Sequence, residues 1–291
     1  MTDKPRLLVI HNPISGRRRG TFLKQVLGRL ERAGCEIDVR QTGGRGDAEA
    51  LARDADPERF SAVVVAGGDG TINEVINGLD KRTLPLGLIP MGTANVLAAE
   101  LSLPESAEGV ADVLLAQRLR RICVGNASGR RFAMMAGVGF DAHVVANLNT
   151  GLKRLLGKGA YVLQCGLEFL RYRSTLYRLR VDNTEWEAAS AVIANGHYYG
   201  GRFVCAPDAR LDDPKLHVCM FGRAGRFHVI RYSSALLLGR LHKLPDVTVV
   251  PASRVMVVDS EGEPVQGDGD IIANLPAEIS IDRDGIDVIV P

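Results

Sequence analysis

Ser61-Ala62-Val63-Val64-Val65-Ala66-Gly67-Gly68-Asp69-Gly70-Thr71-Ile72-Asn73-Glu74 reads as a strand that runs into a glycine turn and then a helix. The β-branched run carries no polar side chain on either face, which suits a strand buried on both sides, as in a parallel sheet. Consecutive glycines let the backbone approach a polyphosphate and aim its N–H groups at it. The first turn of the following helix adds partial positive charge. In an open α/β sheet such a turn lies at the carboxyl end of the strands, where ligands bind. The plain alternative is a tight strand-to-helix turn with Asp69 as its cap.

Two further turns of this kind lie on either side of it in the chain. Asn12-Pro13-Ile14-Ser15-Gly16 follows the apolar run at 6–11, and Pro90-Met91-Gly92-Thr93-Ala94-Asn95 follows another at 86–89. Each sets small or hydroxyl residues ahead of a helical pattern. Alone, either is an ordinary N-cap; three on successive crossovers point to one phosphate-binding edge. Helical patterns at 22–30, 48–54, 72–79, 94–101 and 107–119 alternate with strands at 36–41, 61–66 and 86–89, which predicts a parallel sheet covered on both faces. No GxxxxGK[ST] is present, nor a GxGxxG with an acid spaced for ribose, so a P-loop NTPase and an ordinary dehydrogenase are disfavoured.

After residue 121 the texture changes to short alternating segments at 177–181, 189–194, 216–221, 247–250, 255–258, 279–281 and 286–290. Helical stretches at 155–172 and 227–241 interrupt them. The expectation is two domains, an α/β nucleotide-binding domain over 1–122 and a β-rich domain over 123–291, in keeping with a length of 291 residues.

Composition narrows the classes. The chain is 46% hydrophobic and 24% charged, which is globular. With 36 Lys and Arg against 34 Asp and Glu, the net +2 gives nucleic acid no electrostatic footprint. No apolar run approaches the roughly 18 residues of a membrane span. The first residues lead directly into an apolar strand without a signal-peptide layout. Five scattered cysteines with no CxxC pair fit a reduced cytoplasmic protein, not a disulfide scaffold or a cysteine zinc site. The six histidines show no metal-ligand spacing. Charge is uneven, however. Residues 130–180 hold nine Lys and Arg against two acids, and 222–245 hold Arg223, Arg226, Arg231, Arg240 and Lys243 with no acid. Both segments contain the predicted helices, and basic amphipathic helices can lie on anionic bilayers. Alternatively, their apolar faces cover the β-core and their basic faces are solvated.

The motifs Asn12-Pro-x-Ser-Gly16, Gly67-Gly-Asp-Gly-Thr-x-Asn-Glu74 and Pro90-x-Gly-Thr-Ala-Asn95 resemble the diacylglycerol kinase catalytic family, which includes bacterial lipid kinases and the sphingosine and ceramide kinases. The resemblance continues in order through Gly137-Val-Gly-Phe-Asp141, Asn195-Gly196, Gly200-Gly201, Pro207-Asp-Ala209 and Asp212-Asp213, and so covers nearly the whole chain. It implies an α/β N-terminal domain with the parallel sheet of NAD kinases and diacylglycerol kinases, a C-terminal β-sandwich domain, and an active site in the interdomain cleft. The implied activity moves the γ-phosphoryl group of ATP onto a lipid hydroxyl, diacylglycerol foremost.

Residue by residue, the resemblance implies ATP contacts at Asn12, Thr42, Gly67, Gly68, Asp69, Gly70, Thr71, Ile72, Asn73 and Thr93. The family's Asp-Gly-Glu motif falls on Asp268-Gly269-Asp270, with Asp270 one methylene shorter than the usual Glu. These acids would orient the acceptor hydroxyl and take its proton. Read without the resemblance, Asp-Gly is a hairpin turn. Asp69 is the residue placed to reach the Mg²⁺ that arrives with ATP, directly or through water. A structural Mg²⁺ loop is implied at Asp213, with the backbone carbonyls of Arg210 and Lys215; Pro214 stands where the family commonly has Gly. The expected partners are ATP, a lipid and an anionic membrane surface, not nucleic acid, and a homodimer is left open. The expected location is cytoplasmic with peripheral membrane contact. A NAD kinase-like enzyme and a non-catalytic nucleotide- or lipid-binding protein remain as alternatives.

Overall fold

The computed structural model describes residues 5–16, 20–79, 84–147 and 175–291, so the helical stretch expected at 155–172 and Cys165 lie outside the described residues. The chain divides into two units. One comprises Met1–Val124, Gly200–Arg202 and Arg283–Pro291; the other comprises Gly125–Tyr199 and Phe203–Asp282.

In the first unit the elements run β1 (Arg6–His11), α1 (Gly20–Arg32), β2 (Glu36–Gln41), α2 (Asp47–Arg53), β3 (Ala62–Gly67), α3 (Asp69–Gly78), β4 (Leu86–Pro90), α4 (Val96–Glu100) and α5 (Ala107–Ala116). The strands pair in parallel in the order β2-β1-β3-β4, with Leu7 opposite Ile37 on one side and Ala62 on the other. All six residues of β3 are buried, as its apolar sequence predicts. In α1, Leu23, Val26 and Leu30 recur on one face and are buried there. Because β1 has β2 on one side and β3 on the other, the strand order reverses between β1 and β3. That reversal is the crevice where open α/β sheets take ligands. The turns after β1 and β3 therefore sit where the sequence motifs require.

Helix α5 starts with Ser106, whose hydroxyl accepts the Gly109 N–H at 3.1 Å. It ends at Ala116 instead of running on to 119. Gln117 adopts a left-handed conformation (φ 47°) that closes the last turn and releases the chain into a strand.

That strand is β5 (Leu119–Ala127). It is followed by β6 (Arg130–Phe132), β7 (Met135–Val138), α6 (Phe140–Asn147), β8 (Tyr177–Val181), β9 (Thr184–Ala188), β10 (Ser190–Ala194), β11 (Tyr198–Tyr199), β12 (Phe203–Val204) and β13 (Leu216–Phe221). Then come α7 (Arg226–Leu237), β14 (Val247–Ala252), β15 (Arg254–Val257), β16 (Pro264–Gly267), β17 (Asp270–Asn274) and β18 (Ala277–Ile289). Within the second unit one antiparallel sheet has the order β14-β13-β10-β7-β16-β17, and a second is built from β15, β8, β9 and the first part of β18. Val138, Ile193, Val218 and Val265 from the first sheet and Tyr177, Leu179, Val255 and Ile279 from the second belong to one buried cluster. This is a β-sandwich.

Two further elements differ from expectation. The segments at 279–281 and 286–290 are one strand, β18, interrupted in sequence by Asp282-Arg283-Asp284-Gly285 but not in pairing. Gly285 has φ 54°, and a Cβ there would stand 2.0 Å from the Ile122 carbonyl oxygen, so the polar break marks a bend and not a loop. The helix at 227–241 ends at Leu237, followed by Gly239 at φ 64° and a short 3₁₀ turn over Leu241–Lys243.

Candidate active site

Three turns close on one another at the carboxyl edge of the parallel sheet. A Cβ on Gly92 would stand 2.7 Å from the Gly68 Cα, and one on Gly16 would stand 2.4 Å from the Met91 carbonyl oxygen. Only glycine permits this approach of backbone to backbone. Hydrogen bonds hold it: the Met91 N–H donates to the Gly67 carbonyl at 2.8 Å, and the Asn12 side-chain amide donates to Thr71 Oγ1 at 2.9 Å. Asn12 Oδ1 accepts from the N–H of Ile14 and Ser15, which shapes its own turn. Asn95 does the same for the third turn, accepting the Gly92 N–H at 2.7 Å and donating to the Gly92 carbonyl.

Asp69 links the second turn to the third. Its Oδ1 accepts the Val96 N–H at 2.7 Å, which caps the first turn of α4. Burial pushes the carboxyl of Asp69 above the ordinary range, against the opposing pull of backbone N–H groups. The first turn of α3 leaves the N–H groups of Gly70 and Thr71 without intrahelical acceptors, so they present donors at a helix N-terminus.

The remaining residues expected to touch ATP fall into two groups. Gly67, Gly68 and Gly70 supply backbone at the edge, and Thr93 is exposed on the third turn. Ile72, by contrast, is buried in the core and its N–H donates to the Gly68 carbonyl, so it offers neither side chain nor amide. Asn73 is buried and takes hydrogen bonds from Asn77. Thr42 is buried as well. The amides of Gly43 and Gly44 beside it both donate to Asp47 at 2.8 Å, and its own N–H donates to the His11 carbonyl. Glu74 accepts the Ala48 N–H at 3.2 Å at the start of α2.

In the second unit Asp268 and Gly269 form the two-residue turn between the antiparallel strands β16 and β17, both with positive φ (50° and 90°). The hairpin reading of Asp-Gly therefore holds as a description of the backbone. The Asp268 carboxylate also reaches across to the chain before β7. It accepts the N–H of Ala133 at 2.6 Å, Met134 at 2.9 Å and Met135 at 3.1 Å. From the other side Asn195 grips the same segment. Its side chain donates to the Ala133 carbonyl and its N–H to the Met134 carbonyl, both at 2.7 Å. Asp270 is half-buried at the first position of β17.

Asp141, quoted within a motif but given no role from sequence, is linked to the same turn. It accepts hydrogen bonds from the Tyr199 hydroxyl and, at 2.6 Å, from Gln266 Nε2; Gln266 Oε1 in turn accepts the Gly269 N–H at 2.9 Å. A Cβ on Gly137 would lie 2.2 Å from Asp141 Oδ2, so the glycine makes room for the carboxylate. Burial raises the Asp141 carboxyl above its ordinary range, opposed by the hydrogen bonds from Tyr199 and Gln266. Asp141 also lines a cavity of about 230 Å³ whose walls are mostly apolar, among them Val138, Val144, Ala191, Phe221, Val229 and Leu236. Among the described lining residues it is the one charged side chain. The available signal in sequence was a pair of glycines two apart ahead of an acid.

No cluster of three or more His, Cys, Asp or Glu side chains suited to a metal occurs among the described residues. At the expected structural Mg²⁺ loop the Arg210 carbonyl accepts the Asp213 N–H at 3.1 Å, closing a turn that carries Asp213 half-buried. One carboxylate and backbone carbonyls are hard oxygen donors, the chemistry Mg²⁺ takes together with water.

Comparison with known proteins agrees along the chain. A family model described as "Diacylglycerol kinase catalytic domain" matches residues 6–127, and one described as "YegS C-terminal NAD kinase beta sandwich-like domain" matches residues 134–290. The diacylglycerol kinase of Bacillus subtilis (strain 168) is 34% identical over 281 residues, covering 94% of this chain and 92% of that protein. The diacylglycerol kinase of Staphylococcus carnosus (strain TM300) is 29% identical, over 99% of this chain and 96% of that protein. A crystal structure of a diacylglycerol kinase from Bacillus anthracis str. Sterne shares the fold at a TM-score of 0.79, with 24% identity, over all of this chain and 99% of that one.

Proposed function

The chain belongs to the diacylglycerol kinase catalytic-domain family, and on that premise we propose that it is an ATP-dependent kinase that phosphorylates diacylglycerol to phosphatidic acid. It is a phosphotransferase with an alcohol acceptor. The cavity of the second unit carries the reading of the acceptor. Its apolar walls with one carboxylate suit an acyl lipid bearing a hydroxyl and do not suit a dinucleotide, which disfavours a NAD kinase.

Phosphoryl transfer is mostly positioning and electrostatic stabilisation. The glycine-built edge would hold the ATP phosphates on the N–H groups of α3, with Asn12 and Thr71 fixing the first two turns against each other. Mg²⁺, when bound, offsets phosphate charge. Asp69 would face it through the oxygen not engaged by Val96, or through water, and a second ion would rest on Asp213 with the carbonyls of Arg210 and Lys215. Of the two acids of the hairpin, Asp270 would take the proton of the acceptor hydroxyl. Asp268 is already engaged by three backbone N–H groups, which commits it to shaping the turn. Asp268 would build the turn that presents Asp270. Asp141 would receive the lipid hydroxyl at the polar end of the cavity. The enzyme would work in the cytoplasm, in peripheral contact with the membrane that holds its substrate.

The test is an incubation with γ-labelled ATP, Mg²⁺ and mixed micelles carrying diacylglycerol, ceramide, sphingosine or monoacylglycerol, with NAD in a parallel tube. Label in diacylglycerol, lost in Asp270→Asn, is expected. Formation of NADP, or ATP binding without turnover on any lipid, would overturn the reading.

A further inference from the structure

Helix α7 is apolar on two sides. Its inner side lines the cavity with Val229, Tyr232 and Leu236. Its outer side carries Phe227, Ile230 and Leu237, with Leu238 directly after, and these are 72%, 55%, 62% and 71% exposed. The outer positions fall three, seven and one residues apart, which sets them along one side of the helix. A lone exposed leucine needs no explanation, but four large apolar side chains on one stripe mark a surface that something covers.

The charges around the stripe say what. Arg223, Arg226, Arg240 and Lys243 are exposed at its two ends, and no acid occurs between Gly222 and Pro245. Arg231 and Arg223 both pair with Asp246, and Arg231 holds the helix to the start of β14. Apolar side chains flanked by long basic ones are what the boundary of an anionic bilayer takes, the rings and leucines in the acyl margin and the cations among the headgroups.

We propose that α7 docks on an anionic bilayer with Phe227, Ile230, Leu237 and Leu238 embedded in it, so that the cavity behind the helix fills with lipid from the bilayer and not from water. The docking stands on the geometry of α7 alone; only the identity of the cavity's occupant rests on the kinase reading above.

Trp186 is the one tryptophan of the chain, so a Trp186→Phe, Phe227→Trp variant carries a single reporter on the outer face of α7. With vesicles of phosphatidylglycerol and phosphatidylcholine bearing brominated acyl chains, its emission is expected to shift to the blue and be quenched, and with phosphatidylcholine alone to stay unchanged. A paired Phe227→Asp, Leu238→Asp variant is expected to lose vesicle binding and turnover of vesicle-borne diacylglycerol by about tenfold or more. Its turnover of water-soluble short-chain diacylglycerol should stay at the wild-type rate. An unquenched reporter, or a paired variant that still binds vesicles, would overturn the docking. So would light scattering that finds a wild-type dimer and a monomeric paired variant, because the stripe would then join two copies of the chain. If wild-type protein phosphorylates no short-chain lipid while the reporter is quenched, the kinase reading fails and the docking stands.

Discussion

At the carboxyl edge of the parallel sheet the surface offered to a ligand is backbone; at the Asp268 turn it is side chain. In the first region four polar side chains are spent on the fold, and Thr93 is exposed. Asn12, Asp69, Glu74 and Asn95 hold turns and helix ends, and they leave glycine and helix-terminal N–H groups at the surface. In the second, Asp141, Tyr199 and the Gln266–Asp268 hairpin come from three separate stretches of chain and meet through side-chain hydrogen bonds and antiparallel pairing. Backbone donors carry no titratable group and bind any phosphate of the right shape. Carboxylates carry basicity that burial and hydrogen bonds can tune. A kinase needs both, one to hold a donor nucleotide and one to handle a proton.

The largest expected effects would break or sharpen the second half of that contrast. Asp268 and Asp270 are two residues apart, yet their substitutions should differ in kind. Asp270→Asn should lower kcat by about 10²- to 10⁴-fold, the usual contribution of a positioned base, while Tm stays within a few degrees of wild type. Asp268→Asn should lose about 1–3 kcal/mol of stability, because the amide keeps one oxygen for Met134 and Met135 but turns an N–H₂ toward the Ala133 N–H and leaves that donor unpaired. Thermal melts and initial rates on the same preparations separate the two. A folded Asp268→Asn protein at wild-type Tm with kcat reduced as strongly as in Asp270→Asn would reverse the assignment.

The first half of the contrast turns on shape. Gly92→Ala places a methyl 2.7 Å from the Gly68 Cα, and neither backbone can yield without moving a turn. An expected cost of about 1–3 kcal/mol in stability should accompany a loss of about tenfold or more in ATP affinity. Gly269→Ala is the counterpart in the second unit. That glycine has φ 90° but nothing within 4 Å of a Cβ, so the change should cost only about 1 kcal/mol and leave ATP affinity alone. Calorimetric titration of ATP into both variants checks the pair; equal losses of affinity would mean that the edge does not depend on the close approach of its turns.

The same contrast decides what could be read from sequence. The parallel sheet and its glycine edge were legible because each part is contiguous: the strand 61–66, its glycines and its helix follow one another, and the buried β3 and the β-sandwich are as expected. Within that edge, a motif does not say which of its residues turn inward; the helix period does, and it sends the Ile72 side chain to the core. Asp141 received no role because its partners lie 58 and 125 residues away, and nothing local marks a carboxylate that a distant strand will bury. The hairpin β16–β17 was visible only as an Asp-Gly pair. The stretch 282–285 hid the continuity of β18, since a polar bend and a loop share one composition.

The smallest effect concerns the side-chain cluster that holds α7 in place. The Tyr232 hydroxyl donates to Asp246 at 2.6 Å and accepts the Arg223 N–H at 3.2 Å, which ties α7 to the chain ahead of β14. Burial, then the Asp246 carboxylate beside it, pushes the Tyr232 phenol up to about 12. An unfolded tyrosine ionises near pH ~10. Between those values the folded chain keeps a proton that the unfolded chain has lost, so stability falls as pH rises through this window and is full below it. Tyr232→Phe should lose about 1 kcal/mol at neutral pH with the hydrogen bond, and should show a shallower decline above pH ~10. Urea midpoints at three alkaline pH values for both proteins check this. The sign also separates the two regions of the molecule: the backbone-built edge has no such proton to lose, so α7, held by a phenol, a carboxylate and a guanidinium, should loosen first in alkali. Nucleotide binding that fails at a lower pH than the ordering of α7 would invert that order, and would place the weaker construction at the glycine edge.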